Sequence, residues 1–325
     1  MKTLIQNFPS NLIQAVEIAK KYPLNKEYND IRNVLICGLG GSGIGGKLVS
    51  QWFEKELSVP VTICQTYDIP NFVNQHTLVI GSSYSGNTEE TLSALEQAHQ
   101  KHAQILAVCS GGKLADFCQA KGYEYILVPG GNPPRTQLGF SIVQLTHFLI
   151  EAGLIKDGAL SNFLEAAEIL EANVDAIHAK AKELADFIHA NDLIIYATSV
   201  YEGVAVRARQ QFNENAKILC SHHVIPEMNH NELVGWAGGK MNHAVLLLRT
   251  GDEHPQNDKR FEFTKESISS KTDSLMEIQA HYNDQLMNSL YLIHLIDWAS
   301  FYLADKTNID PSEIDVINNL KASLQ

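Results

Sequence analysis

The sequence lacks the patterns that mark disulfide-rich and membrane-spanning proteins. Its five cysteines are an odd number and include no CxxC pair, so we expect buried, reduced thiols rather than a disulfide framework. No apolar run approaches the ~18 residues that a membrane span needs. The first residues contain no continuous apolar segment of the kind that a signal peptide requires. We therefore expect a cytoplasmic protein without a membrane partner.

Positive charge is also scarce. The chain carries 25 Lys and Arg residues against 37 Asp and Glu, which gives a formal net charge of -12, and its basic residues form no patch in the sequence. The overall field therefore repels nucleic acid and anionic membranes, and we expect neither as a partner. An anionic small ligand is compatible with this charge only at a local site made of backbone N–H groups and one or two cations.

Metal-binding motifs are missing as well. His222, His223, Glu227, His230 and Glu232 lie close together in the sequence. They match neither the HExxH pattern nor the spacing of a site with two histidines and one carboxylate. We therefore predict no metal site, and the sequence gives no other reason to expect a metal cofactor.

The chain does contain enough apolar sequence for two domains. Its 325 residues are 45% hydrophobic and 19% charged, which are ordinary values for a globular protein. At roughly 150 residues per domain, two domains are expected. A long helical region from about residue 135 to 189 is interrupted near Gly153 and Gly158. We place the boundary there, so the predicted domains are residues 1–155 and 156–325.

Short apolar runs alternate with helical patterns in the first half. An amphipathic segment at about residues 10–22 is followed by predicted helices at 44–56 and 88–102. This alternation predicts a parallel sheet covered by helices on both faces. The predicted strands are residues 34–37, 61–64, 78–80, 105–108 and 125–128.

The alternation resumes in the second half. Both halves therefore look like three-layer α/β units, with mainly parallel sheets flanked by helices. We interpret Glu202, Arg207 and Arg209 as charges on a helix face. We assign four aromatic residues, Trp236, Trp298, Phe301 and Tyr302, to the core or a dimer contact. The predicted elements are strands at 193–198 and 245–249, helices at 204–214, 284–303 and 311–324, and a surface loop at 251–258.

A glycine-rich run, GLGGSGIGG at residues 38–46, follows the first predicted strand and opens a helix. Glycines let backbone N–H groups turn toward one point, and a helix N-terminus adds partial positive charge. This run therefore predicts an anion site, with Gly40 and Gly41 as backbone donors and Ser42 as a hydroxyl donor.

The same run contains GxGxxG as Gly38, Gly40 and Gly43, so a nicotinamide-dependent oxidoreductase is one alternative. A dinucleotide-binding fold has an acidic residue at the end of its second strand. Here that predicted strand ends at Cys64, and Asp68 follows only some residues later. The position of this acid disfavours the dinucleotide interpretation.

A second loop, SSYSGNTEET at residues 82–91, also lies between a predicted strand and a helix. Ser83, Ser85 and Thr88 offer hydroxyl groups. Asn87 followed by Glu90 predicts a cap for the helix. Capping alone would explain one such loop, but two anion-competent loops on neighbouring strands suggest a ligand at the carboxyl edge of the sheet.

Together the two loops resemble those of the sugar isomerase (SIS) domain family, whose members bind phosphorylated sugars without metal or nucleotide. The resemblance implies that Ser42, Ser83, Ser85 and Thr88 hold the phosphate. Neither loop contains Lys or Arg, so the phosphate would be held by dipoles and hydroxyl groups. No cofactor is expected.

Further motifs resemble those of the bifunctional phosphoglucose/phosphomannose isomerases across nearly the whole chain. They are NPPR at 132–135, FNENAK at 212–217, PEMNHNELVGW at 226–236 and Lys321 near the end. The doubled proline before Arg135 departs from the expected single one. The resemblance implies an aldose–ketose isomerase acting on glucose 6-phosphate and mannose 6-phosphate, in a homodimer whose active site is shared between subunits.

The resemblance also implies roles for four side chains. Glu214 is the base that moves a proton between C1 and C2, His230 opens the sugar ring with help from Lys321, and Arg135 stabilises the enediolate. Without the resemblance, each of these residues could equally be a solvated or structural group. The alternatives are a non-enzymatic sugar-phosphate sensor, an amino-sugar phosphate isomerase and the oxidoreductase above.

Overall fold

A computed structural model describes residues 1–189, 191–238 and 242–324. Contacts divide the chain into two units. Gln6–Ala172 form the first, and Met1–Ile5 with Asn173–Gln325 form the second. The predicted domain boundary near residue 155 stays a prediction. The helix that follows it, Ala159–Ala172, packs with helices of the first unit.

The first unit contains a five-stranded parallel sheet in the order β2-β1-β3-β4-β5. Its central strands are buried on both faces, as their continuous apolar sequence requires. All five strands predicted for this half are confirmed within one or two residues. The strands are β1 (Asn33–Cys37), β2 (Val61–Cys64), β3 (Thr77–Ser82), β4 (Gln104–Cys109) and β5 (Glu124–Leu127).

Helices cover this sheet. The helix α2 packs against α6 and α7, while α3 contacts β1, β2 and α6. The predicted helical region after residue 135 is divided between separate helices, with breaks at Gly153 and Gly158 as expected and another at Asn173. The helices up to residue 172 are α1 (Lys2–Gln6), α2 (Phe8–Lys21), α3 (Gly40–Trp52), α4 (Glu89–Gln100), α5 (Gly112–Lys121), α6 (Leu138–Glu151) and α7 (Ala159–Ala172).

The second unit contains a four-stranded parallel sheet in the order β7-β6-β8-β9. The predicted strands at 193–198 and 245–249 are confirmed as β6 and β8. The sequence did not predict β7 and β9, because the polar residues Ser221 to His223 and Glu277 interrupt their apolar pattern. The strands are β6 (Asp192–Thr198), β7 (Cys220–Ile225), β8 (His243–Arg249) and β9 (Leu275–Gln279).

The helices of this unit follow the same alternation. The loop predicted at 251–258 is wrong in its second half, because α11 begins at Pro255. The last helix begins at Asp315 rather than Pro311, and the Asp310 carboxylate instead accepts from the Ser312 N–H in a turn. The helices are α8 (Val174–Ile188), α9 (Glu202–Ala216), α10 (Glu232–Gly235), α11 (Pro255–Ser269), α12 (Gln285–Lys306) and α13 (Asp315–Ser323).

One interpretation of charge is wrong. Arg207 does not lie on an exposed helix face but is 1% exposed, and its guanidinium donates to the Asp297 carboxylate on α12 at 2.8 Å. Helix α9 packs along α12 through this pair.

Trp236 and Trp298 are buried, as predicted for core residues, and so are four of the five cysteines. In the described residues, no helix is long and apolar enough to span a membrane.

Candidate functional site

The neighbouring strands β1 and β3 end at the same edge of the first sheet, and a loop follows each. The chain runs from β1 to β2 on one side and returns to β3 on the other. The strand order therefore reverses between β1 and β3. A crevice forms outside the carboxyl ends of the strands at such a point, and ligands of open α/β sheets bind there.

The glycine loop after β1 leads directly into helix α3. The N–H groups of Ser42 and Gly43 both donate to the Leu39 carbonyl, at 3.1 and 3.0 Å. Gly40 and Gly41 are the first residues of the helix, so their N–H groups have no carbonyl one turn earlier to bind. Together with the helix dipole, these N–H groups can bind an anion.

The Ser/Thr loop after β3 contributes hydroxyl groups. Ser83 is 1% exposed, and its hydroxyl lies 2.8 Å from that of Thr88, the residue before helix α4. The hydroxyl of Ser85 is more exposed and accepts from the Asn87 N–H at 3.3 Å. Gly86 has a φ of 69°, and an added Cβ there would lie 1.8 Å from the Gly111 carbonyl oxygen. Only glycine fits this turn.

The predicted Asn87–Glu90 cap is wrong. Thr88 is the N-cap residue of α4, and no side chain caps the helix. The amide oxygen of Asn87 instead accepts from the Lys113 N–H at 3.1 Å, at the start of α5. The first turn of α4 carries Glu89 and Glu90, whose negative charge is favourable for the start of the helix but opposes an anion bound nearby.

Tyr84 joins the loops and was not identified from the sequence. Its N–H donates to the Ser42 hydroxyl at 3.0 Å, which links the glycine loop to the Ser/Thr loop. Its phenol donates to the Pro129 carbonyl at 2.9 Å and accepts from the Asn132 N–H at 3.2 Å. The Asn132 segment leads to Arg135. A lone tyrosine between serines has no pattern that would have revealed this role.

Arg135 lies in a short 3-10 helix, Pro134–Thr136, and is 3% exposed. Proline at the first position of a helical turn is favourable, since its missing N–H is not needed there. An added Cβ on Gly41 would lie 3.2 Å from the Arg135 Cα and from the Pro134 carbonyl. Because Gly41 has no side chain, Pro134 and Arg135 can approach the glycine loop closely.

Glu214 lies in the last turn of α9, in the second unit, and is half-buried. The residues beside it fix the helix end. Asn215 is fully buried and its amide donates to the Ser300 hydroxyl on α12 at 2.9 Å. Lys217 adopts a left-handed conformation, and its ammonium donates to the carbonyls of Glu214 at 2.6 Å and Glu313 at 2.7 Å. A lysine that binds the last carbonyls of a helix is favourable there.

His230 and Lys321 are both exposed. His230 ends a 3-10 helix, Glu227–His230, after β7, and Lys321 lies in α13. In the part of the chain that the structure describes, neither side chain forms a hydrogen bond or an ion pair. The same part holds no group of three or more His, Cys, Asp or Glu side chains that could bind a metal.

The candidate residues thus fall into two sets. One end of the first sheet gathers the N–H groups, the hydroxyl groups and a buried guanidinium. The second unit carries the acid, the histidine and the lysine predicted for proton transfer. The first set is Gly40, Gly41, Ser42, Ser83, Ser85, Thr88 and Arg135, and the second is Glu214, His230 and Lys321.

Two family models match the chain, one in each unit. The model "SIS domain" matches residues 27–126, and "Bacterial phospho-glucose isomerase C-terminal SIS domain" matches residues 177–324. The chain is 35% identical to a bifunctional phosphoglucose/phosphomannose isomerase of Caldicellulosiruptor bescii, over 98% of this chain and 97% of the relative. It is 34% identical to the Aquifex aeolicus protein of the same name, over 92% of each.

More distant similarities agree on the fold. A D-glucosamine-6-phosphate 4-epimerase of Sulfolobus acidocaldarius is 27% identical over 87% of this chain and 86% of the relative. The C-terminal domain of a Francisella tularensis glucosamine-fructose-6-phosphate aminotransferase superposes with a TM-score of 0.76 at 14% identity, covering 96% of this chain and 97% of that one. Escherichia coli tagatose-6-phosphate ketose/aldose isomerase gives 0.73 at 15% identity, covering 95% and 94%.

Proposed function

Since the chain belongs to the family of bifunctional phosphoglucose/phosphomannose isomerases, we propose that it interconverts glucose 6-phosphate and mannose 6-phosphate with fructose 6-phosphate. That it is a sugar-phosphate isomerase follows from the family. The named substrates and the residue roles are the proposal. The observation that carries them is the cluster of N–H and hydroxyl donors at one end of the first sheet.

The phosphate is held without a lysine or arginine in either loop. The free N–H groups of Gly40 and Gly41 and the hydroxyls of Ser42, Ser83, Ser85 and Thr88 provide the donors. Charge-assisted hydrogen bonds of this kind are short and strong, so several of them replace a cation. Because Tyr84 links the two loops, these donors are fixed before the ligand arrives.

Glu214 is the base in this proposal. A carboxylate can take the proton from C2 and return it to C1, and acid–base help of this kind contributes roughly 10²–10⁴-fold to the rate. Its position in the last turn of α9, just before residues whose side chains are bound, supports a fixed base. Arg135 stabilises the enediolate, because a buried guanidinium always keeps its charge.

His230 opens the sugar ring in this proposal, assisted by Lys321. A histidine can exchange protons near neutral pH, which suits transfer between the ring oxygen and the C1 hydroxyl. Glucose and mannose differ at C2. Acting on both requires that the base reach the C2 proton after rotation about the C2–C3 bond.

We also propose that the protein works in the cytoplasm as a homodimer with a shared active site. The exposure of the His230 side chain supports its contribution to a site shared with a second copy of the chain. A mixing experiment tests this directly. Glu214→Gln and His230→Gln proteins, each inactive alone, should recover up to about a quarter of the activity when unfolded and refolded together. Recovery of none would contradict the shared site.

The substrate assignment is tested by incubating the purified protein with fructose 6-phosphate and following the products by NMR. Glucose 6-phosphate and mannose 6-phosphate should both appear. No turnover would indicate the sensor alternative, and quenching of tryptophan fluorescence by NADH at micromolar concentration would indicate the oxidoreductase. The alternative of an amino-sugar phosphate is favoured by one observation, the similarity to the glucosamine-6-phosphate 4-epimerase. Glucosamine 6-phosphate therefore belongs in the same assay.

A further inference from the structure

The segment that carries His230 is anchored to the core at several points. We call residues 226–238 the His230 segment; it comprises the 3-10 helix Glu227–His230, helix α10 and a second 3-10 turn, Trp236–Gly238. His230 itself is exposed, but Met228 and Trp236 on either side of it are buried in one apolar cluster. The position of the exposed His230 side chain is therefore restricted by the buried residues on either side of it.

Two hydrogen bonds join this segment to β6, one of the two inner strands of the second sheet. The Trp236 indole N–H donates to the Tyr196 phenol oxygen at 3.1 Å, and the Tyr196 hydroxyl donates to the Glu232 carboxylate at 2.6 Å. Burial, and then the bond to Glu232, raise the pKa of Tyr196 well above its usual range. The phenol therefore stays protonated and remains a donor.

The position of Tyr196 is itself restricted by the second sheet. It is fully buried in β6, which pairs with β7 on one side and β8 on the other. Strand pairing on both sides restricts the position of its backbone, and packing restricts the ring. Its hydroxyl contacts the segment on both flanks of α10, at Glu232 and at Trp236.

Other contacts hold the remainder of the segment. The Asn229 amide donates to the Thr264 hydroxyl on α11, and the Asn231 amide donates to the Glu227 carboxylate, both at 2.8 Å. They restrict the residues immediately before and after His230. The Tyr196 hydroxyl in turn links the segment to β6 through two side chains at once, Glu232 and Trp236.

We propose that Tyr196, acting through Glu232 and Trp236, is a positioning residue that holds the His230 segment in the geometry needed for ring opening. The inference rests on the proposed role of His230. The loss of this hydroxyl would leave the buried Trp236 indole N–H and the partly exposed Glu232 carboxylate without a shared partner and free the segment to shift. A displacement of about 1 Å is enough to reduce a rate by about a hundredfold.

Tyr201 is a matched control that distinguishes a loss of positioning from a loss of stability. Tyr201 is also buried in the second unit, and its hydroxyl donates to the Asp252 carboxylate at 2.7 Å and accepts from the Asn288 amide at 3.2 Å. Tyr201→Phe thus removes the same kind of hydroxyl and leaves the same kinds of partner behind. Among the described residues, the Tyr201 hydroxyl forms no hydrogen bond to the His230 segment.

The experiment compares Tyr196→Phe and Tyr201→Phe in two assays. Exchange NMR measures the interconversion of the glucose 6-phosphate anomers, which reports ring opening, and steady-state kinetics give kcat and KM. We expect Tyr196→Phe to slow anomer exchange and kcat by about ten- to a hundredfold with KM nearly unchanged. Tyr201→Phe should lower the melting temperature by a similar amount but change neither rate by more than about twofold. Equal losses in both variants would overturn the inference.

Variants of Glu232 give an independent test, because the side chain of Glu232 is partly exposed and its replacement changes no fully buried residue. Glu232→Gln keeps an oxygen that accepts from Tyr196 and should retain most ring opening, whereas Glu232→Ala should lose it. If Tyr196→Phe fails to fold, this pair decides the question. Equal rates for the Gln and Ala variants would contradict the inference.

A double variant distinguishes failure of the inference from failure of the proposed function. If Tyr196 acts through His230, then adding Tyr196→Phe to His230→Gln should slow anomer exchange no further. A second, multiplicative loss would overturn the inference alone. If His230→Gln by itself leaves anomer exchange intact, the proposed role of His230 fails, and the inference fails with it.

Discussion

The hydroxyl of Ser42 accepts a hydrogen bond from the backbone N–H of Tyr84 at 3.0 Å. This bond joins the glycine loop after β1 to the Ser/Thr loop after β3. The two loops are therefore linked directly. The Tyr84 hydroxyl also accepts from the Asn132 N–H, which links the loops to the segment before Arg135.

Ser83→Ala tests the phosphate site. The buried Ser83 hydroxyl contacts that of Thr88 at 2.8 Å, and a hydrogen bond to a charged group contributes about 1.5–3 kcal/mol. KM for fructose 6-phosphate should rise by about tenfold or more, while kcat changes little. The inhibition constant of inorganic phosphate should rise by the same factor. Ser93→Ala, which removes a hydroxyl on α4 that donates to the Tyr67 carbonyl, should change neither constant.

The buried ion pair between Arg207 and Asp297 predicts that replacing one partner costs more unfolding free energy than replacing both. Arg207→Leu alone leaves a buried carboxylate without its charge partner and should cost about 3–5 kcal/mol of unfolding free energy. The double variant with Asp297→Leu should recover most of that loss. Urea denaturation measures both, with Lys180→Ala at the exposed Lys180–Glu183 pair as a control that costs less than about 1 kcal/mol. A double variant no more stable than Arg207→Leu would contradict this account.

Lys217→Gly separates backbone conformation from the contacts of the side chain. Lys217 and Asn308 have nearly equal positive φ angles, 55° and 54°, a conformation that glycine adopts readily. Both glycine variants should therefore stay within about 1 kcal/mol of the parent in unfolding free energy. Only Lys217→Gly loses the bonds to the Glu214 and Glu313 carbonyls, so only its kcat should fall, by about tenfold. Equal kcat values for the two variants would remove Lys217 from the account.

His294 predicts how stability depends on pH. It is buried beside Trp298, whose indole N–H donates to its ring at 3.3 Å. Burial, and then the charge of His178, lower the pKa of His294 to about 3. Because the unfolded chain binds this proton more readily, the contribution of His294 is complete above about pH 6.5 and is lost as the pH falls toward 3.

The size of this effect can be measured with His294→Gln, whose amide oxygen can still accept from Trp298. Between pH 7 and 5 the parent should lose about 2 kcal/mol more than the variant in urea unfolding. Parallel curves for the two proteins would show that the histidine is not buried in its neutral form.

Local patterns predicted the first unit well. Its strands are short apolar runs bounded by turns, and burial on both faces imposes such a pattern in any parallel sheet. The two loops were also visible in the sequence as glycine-rich and hydroxyl-rich runs at strand ends, and their role in phosphate binding stays a prediction. The family similarity then favoured an enzyme over a non-catalytic sensor.

The second unit was less predictable for physical reasons. Strand β7 contains His222 and His223, which no apolar pattern reveals, and α11 has too weak an amphipathic pattern to be distinguished from a loop. Arg207 was misassigned because its partner Asp297 is distant in sequence, and only the packing of α9 on α12 brings the two together. Tyr84 and Tyr196 were missed for the same reason, since their roles depend on contacts between distant segments.

The central claim, that Glu214 transfers the proton between C1 and C2, is tested most directly by isotope exchange. Fructose 6-phosphate is incubated with the parent protein and with Glu214→Gln in D₂O, and deuterium in the glucose 6-phosphate formed and in the remaining substrate is measured by NMR. The account predicts that the variant binds fructose 6-phosphate within about threefold of the parent but exchanges and isomerises at least about a hundredfold more slowly. Exchange at the parental rate in Glu214→Gln would contradict it.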